Sequence, residues 1–129
     1  MVTENASAFR RILAWMIERY PPGILVLHAL MYFAPISVVM ALMGSGDILY
    51  SLPREVLGPV VFYCFPLILR IMDEHKDYAQ DCLAHPDRVL QSGVVSLKEL
   101  RVVAYVAAGF QLACCLWIDN GFGPATICW

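Results

Sequence analysis

The sequence predicts an all-α integral membrane protein, an interfacial amphipathic helix plus three transmembrane helices in a single membrane domain spanning 1–129. Three observations carry that reading. Hydrophobic residues make up 60% of the chain and charged residues only 16%, with a mean hydropathy of +0.64, well outside soluble usage. Apolar runs at 24–43, 55–72 and 100–118 are each long enough to cross a hydrocarbon core of about 30 Å. Charge, finally, gathers in one segment between the second and third runs, Arg70 to Arg101.

The first element is a helix over 6–20. Phe9, Ile12, Leu13, Met16, Ile17 and Tyr20 recur at helical spacing, with Arg10, Arg11, Glu18 and Arg19 elsewhere and Asn5 or Ser7 placed to cap it. Pro21 and Pro22 stop it. A basic, Trp-bearing amphipathic helix before a span is expected to lie in the membrane interface; docking on a partner is the competing reading. The acidic start MVTENAS has no cleavage pattern of a signal peptide, so insertion rests on the retained spans.

The first span, 24–43, carries His28 near its start, expected as a hydrogen-bonded packing residue, and Pro35 in its middle, expected to kink it. Gly44-Ser45-Gly46-Asp47 reads as a turn and Tyr50 as an interfacial anchor. In the second span, 55–72, Pro59 sits in the first turn, where a missing N–H costs little. Pro66 lies inside, frees the Phe62 carbonyl and is expected to bend the helix one turn before Arg70. The helix continues past the apolar run and stops at or before His85, which precedes Pro86. Ser96-x-x-Glu99 is a capping box with Val95 and Leu100 as its hydrophobic staple, so the third span begins there; Gly121 is the expected left-handed cap at its end. The apolar GFGPATICW that follows reads as the opening of a further span or a short re-entrant end.

Lys and Arg set the topology. Arg10, Arg11, Arg19, Arg70, Lys76, Arg88, Lys98 and Arg101 fall on one side and Arg54 on the other, so the N-terminus and the aspartate-rich segment 73–96 are expected to be cytoplasmic. A net charge of -2 and a pI near 5.8 exclude a nucleic-acid binder, which needs a basic stripe. The five cysteines form neither a CxxC pair nor a zinc spacing and read as small buried apolar residues.

The chemistry concentrates in the central segment. Asp73, Asp77 and Asp81 recur every four residues, each about 40° round a helix from the last, so all three share one face with Arg70. Stacked like charges are destabilising unless a cation joins them, and hard carboxylate oxygens suit Mg²⁺. The bland alternative is a solvated helix face balanced by Arg70, Lys76 and Arg88. Ionisable groups that follow directly on a hydrophobic run favour the functional reading.

These residues resemble the UbiA superfamily of intramembrane prenyltransferases. Its first aspartate motif follows the second span at four-residue intervals, as Asp73-x-x-x-Asp77-x-x-x-Asp81 does here, and Arg70-x-x-Asp73-Glu74 looks like the variant in which an arginine precedes the acids. Downstream, Pro86-Asp87-Arg88, Gly93 and Val95-Ser96-Leu97-Lys98-Glu99 look like the family's Pro-x-Arg, glycine and helix-opening elements, with Val89 where a second proline is common. The resemblance implies the N-terminal third of a larger helical bundle. It implies that Asp73, Asp77 and Asp81 hold Mg²⁺ against a prenyl diphosphate whose oxygens Arg70 and Arg88 bind, for transfer to an acceptor. The family's second aspartate motif has no counterpart, since Glu99 and Asp119 are the only acids after Asp87. That implies a partial enzyme completed by another membrane chain or a second copy, or a non-catalytic accessory subunit of a larger complex derived from such an enzyme.

Two further classes were weighed. A CDP-alcohol phosphotransferase needs Asp-Gly-x-x-Ala-Arg upstream of its spaced acids, which this chain lacks. A transporter or channel needs a polar stripe, and the spans offer only His28, Ser37 and Gln111.

Overall fold

The computed structural model describes residues 5–43 and 52–123; the turn expected at Gly44–Asp47, Tyr50 and the last six residues of the apolar end lie outside them. The described residues form four helices and no strand: α1 (Ala8–Arg19), α2 (Pro22–Met43), α3 (Leu52–Ala84) and α4 (Leu97–Asp119). Two are long and apolar enough to cross a membrane, Val56–Ala84 within α3 and Leu97–Ile118 within α4. α1 and α2, bent by 77° between Ala8–Arg19 and Gly23–Val39, meet that criterion only taken together.

α3 has 33 residues and runs unbroken through Pro59 and Pro66. At 1.5 Å per residue it is about 50 Å long, some 20 Å more than a hydrocarbon core. The excess lies at its polar C-terminal end, which carries Asp73, Asp77 and Asp81. The helix stops at Ala84, where His85 donates its N–H to the Asp81 carbonyl and Pro86 forbids continuation.

The core follows a 3-4 rhythm on two helices. Cys64, Leu67, Ile71 and Glu74 are buried along α3, and Leu100, Ala107, Gln111 and Cys114 along α4. These stripes face each other in the main interface of the molecule. Gln111 crosses it, donating from Nε2 to the Val61 carbonyl at 2.9 Å. α2 packs on α3 at Gly58, where an added β-carbon would collide with the Tyr32 hydroxyl. Its outward residues, Leu25, Val26, Leu27, Leu30 and Met31 among them, are exposed. His28 donates from Nδ1 to the Ile24 carbonyl and its ring stands edge-on to Tyr63, a packing role.

The capping box of α4 forms in full: the Ser96 hydroxyl accepts from Glu99 N–H, and Glu99 Oε2 accepts from Ser96 N–H at 2.9 Å. Val95 and Leu100 are both buried beside it. Two expected caps differ. Ser7 occupies the N-cap of α1 but its side chain makes no capping bond. At the end of α4 the left-handed residue is Asn120 (φ 52, ψ 39) rather than Gly121. Asn120 N–H reaches the Trp117 carbonyl and Gly121 N–H the Leu116 carbonyl, a Schellman arrangement one residue earlier than glycine placement suggested. Asparagine tolerates this conformation because its short polar side chain bonds locally.

α1 does not present one apolar face. Trp15 and Tyr20 are buried against α3, α4 and the 85–96 connection, while Phe9, Leu13 and Ile17 remain exposed on its other side. The helix is docked inward through Trp15 and keeps a second apolar stripe outward.

Candidate functional site

The polar end of α3, the 85–96 connection and α1 meet around one cavity of about 170 Å³, lined by Arg70, Asp73, Glu74, Asp77, Asp81 and Arg88. All five residues singled out from the sequence thus share one site. Four belong to a continuous helix, which fixes their spacing. Arg88 arrives through the connection, and that loop is tightly wound: Arg88 N–H bonds the His85 carbonyl, Ser92 N–H the Arg88 carbonyl and Gly93 N–H the Leu90 carbonyl. Gly93 turns with φ +82, a left-handed conformation that suits glycine. Leu90 and Val95 bury beneath the loop. Val89 donates its N–H to Glu18 Oε2 on α1 at 3.2 Å. A proline at 89 has no N–H to give, so valine here ties the loop to α1.

Two residues that the sequence reading left out of the site organise it. Glu74 is 1% exposed and Arg19 nearly as buried, and Arg19 Nε lies 2.6 Å from Glu74 Oε1. Arg70 Nε faces the same oxygen at 3.4 Å. Asp81 Oδ2 is shared by Arg19 Nη2 at 3.5 Å and Arg88 Nη1 at 3.3 Å. Arg70 therefore pairs with Glu74 rather than with Asp73, and α1 contributes the most deeply buried cation. The signal for Glu74 was present in the sequence. Positions 64, 67, 71 and 74 continue one core stripe, and a glutamate on a core stripe requires a buried cation, because an unpaired buried charge is costly.

The remaining acids differ. Asp73 makes no ion pair among the described residues, and Asp77 has only Lys76 Nζ at 3.9 Å, with both groups well exposed. The arrangement therefore divides into a neutralised half, Glu74 and Asp81 with Arg19, Arg70 and Arg88, and an open half, Asp73 and Asp77.

Among the described residues no three His, Cys, Asp or Glu side chains converge on one point as a metal cage would. Mg²⁺ does not need such a cage, since one or two carboxylates plus phosphate oxygens and water complete its octahedron. The hard oxygens of Asp73 and Asp77 fit that role in kind, with a phosphate ligand supplying the rest. Asp81, engaged by two arginines, is less available than the even spacing of the three aspartates implied.

A second junction secures the collar. Arg11 on α1 pairs with Glu99, the capping-box acid at the start of α4. The Tyr20 hydroxyl donates to the Pro66 carbonyl at 2.8 Å, and burial, followed by the neighbouring Tyr63, raises its pKa so that it stays a neutral donor. α1 is thereby pinned at four points, to α4 by Arg11, to α3 by Arg19 and Tyr20, and to the 85–96 connection by Glu18.

No family model, curated protein or solved structure matches this chain.

Proposed function

We propose that this chain is part of a UbiA-type prenyltransferase, binding a prenyl diphosphate with Mg²⁺ at the acid cavity for transfer to an acceptor, the rest of the enzyme being supplied by another membrane chain or a second copy. The observation that carries the proposal is the polar cavity in which Asp73, Asp77, Asp81, Arg70 and Arg88 come together at the end of an apolar helix bundle. Arginine's planar fork suits phosphate oxygens. Arg70 is held through Nε by Glu74, leaving its terminal nitrogens for a ligand. Arg88 is held through Nη1 by Asp81. Asp73 and Asp77 offer the open oxygens toward a hard cation. Mg²⁺, when bound, neutralises charge on a leaving diphosphate.

In this reading α1 lies in the interface, with 24–43, 55–72 and 100–118 spanning and the N-terminus and aspartate-rich segment cytoplasmic. Support comes from the ion pairs Arg11–Glu99 and Arg19–Asp81, which gather α1, the end of α3 and the start of α4 at one end of the bundle. The exposed stripe of Phe9, Leu13 and Ile17, flanked by Arg10, suits the acyl boundary.

The alternative is a non-catalytic membrane subunit that keeps the inherited acids as scaffold. One observation favours it: Glu74 and Asp81 are already neutralised by three arginines, as in a purely structural ion network. Binding of farnesyl diphosphate to the full chain in mild detergent, titrated with and without Mg²⁺, separates the two. Asp77→Ala should abolish Mg²⁺-dependent binding, and unchanged binding would sink the enzyme reading. Assembly into a native complex that survives Asp73→Asn with Asp81→Asn, without any diphosphate binding by the parent chain, would establish the accessory role.

A further inference from the structure

A second cavity lies on the other flank of α3. Ile68, Ile71, Met72 and His75 recur there at i, i+3, i+4 and i+7. At 100° per residue their mean direction is about 150° round the helix from that of the acid-cavity residues. Arg101, Ala104, Tyr105 and Ala108 repeat the same spacing on α4. The two ridges enclose a groove of about 410 Å³. Its physical origin is the pair Ala104 and Ala108, whose methyl groups leave unfilled the space that larger side chains would take between α3 and α4.

The groove has chemically distinct ends. Toward the middle of α3 and α4 it is apolar, from Ile68 to Ala108. At the polar end of the bundle it is lined by Arg101 and His75. His75 donates from Nδ1 to the Ile71 carbonyl at 2.8 Å, which fixes the ring against its own helix. Arg101 is exposed and makes no ion pair among the described residues, in contrast to Arg11, Arg19, Arg70 and Arg88 on the collar. Lys98, one turn before it on α4, is likewise exposed and unpaired among them. Tyr105, 71% exposed beside the groove, is the kind of amphipathic ring that settles at headgroup level.

We infer that this groove is a binding site for an anionic glycerophospholipid, one acyl chain lying over Ala104 and Ala108 and the phosphate meeting Arg101 and Lys98. Charge complementarity selects this occupant. A zwitterionic lipid would fill the apolar floor but bring its own ammonium up to the two cations, Arg101 and Lys98, and a lipid without phosphate would leave them unpaired; a soluble phosphate would meet the guanidinium and leave the floor empty. The inference rests on α3 and α4 lying in a bilayer, and on nothing in the acid cavity.

The test is native mass spectrometry of the full chain reconstituted in vesicles of phosphatidylglycerol and phosphatidylcholine, then released into detergent. Wild-type chain should retain phosphatidylglycerol in preference to phosphatidylcholine. Arg101→Gln should lower retained phosphatidylglycerol about fivefold, the worth of one basic residue against an anionic headgroup. Ala104→Leu should lower retention of both lipids by filling the floor. Equal retention of the two lipids, wild-type retention in both Arg101→Gln and Ala104→Leu, or displacement of the lipid by glycerol phosphate would overturn the site. So would loss of the chain from membranes in alkaline carbonate, which removes the bilayer premise. Arg101→Gln should leave Mg²⁺-dependent farnesyl diphosphate binding intact; loss of both together would make the groove part of the acid site and end its claim to be separate.

Discussion

The apolar half of the α3–α4 interface and the collar at its polar end are held by different forces. Within the bundle, Cys64, Leu67, Ala107 and Cys114 meet as small and medium apolar groups, with a hydrogen bond from Gln111 to the Val61 carbonyl crossing between the helices. Around the acid cavity, Trp15, Leu90, Val95 and Leu100 bury beside a network of three arginines and two acids. The contrast fits the bilayer placement of α3 and α4 proposed above. Lipid tails are as apolar as leucine, so helices in hydrocarbon gain little by burying apolar surface and rely on close packing and interhelical hydrogen bonds. Where water reaches, burial of a large aromatic is strongly favourable. The collar is thus where single changes should cost most.

The largest effect is expected from Trp15→Ala. The indole is fully buried between α1 and the rest of the collar, and truncation of a buried tryptophan costs about 3–5 kcal/mol. Guanidinium or thermal melting in detergent should show it, with α1 becoming the first site of proteolysis; a loss below about 1 kcal/mol would contradict the collar argument.

Arg19→Gln comes next. Breaking one partner of a buried ion pair typically costs about 3–5 kcal/mol, and the lower end applies because Arg70 still faces Glu74. The double change Arg19→Gln with Glu74→Gln should recover a large part of that loss, since the orphaned carboxylate is removed. Additive losses in the double-mutant cycle would mean the two residues do not interact as a pair.

Gly93→Ala should cost about 1–2 kcal/mol, the strain of a left-handed conformation for a residue with a β-carbon, as nothing crowds the added methyl. The smallest effect is reserved for the membrane half. Gln111→Leu should cost about 0.6 kcal/mol, in line with single interhelical hydrogen bonds in bilayers. A change several times larger would show that water reaches that depth, and would move the boundary between the two regions toward the centre of the bundle.

Periodicity made much of this legible in advance. Four-residue spacing put Asp73, Asp77 and Asp81 with Arg70 on one face, and they line one cavity. Ser96-x-x-Glu99 named the start of α4, because a capping box is a local bond pattern written in adjacent residues. The cap at the other end was displaced by one, as asparagine and glycine adjoin and both accept the left-handed region. Periodicity marked the Trp-bearing helix as amphipathic without saying that Trp15 is buried against protein, since amphipathicity tells how apolar a face is and not what covers it.

The sequence by itself determined that these segments are helical and which face carries the aspartates, for these depend on neighbours within a turn or two. Only the tertiary structure decided that Arg19 crosses to Glu74 and Asp81, that Val89 spends its amide on Glu18, and that Ala104 and Ala108 open a groove opposite Ile68 and Met72. Those pairings join residues tens of positions apart. Their partners are chosen by how one helix is rotated against another, and no local pattern encodes that rotation.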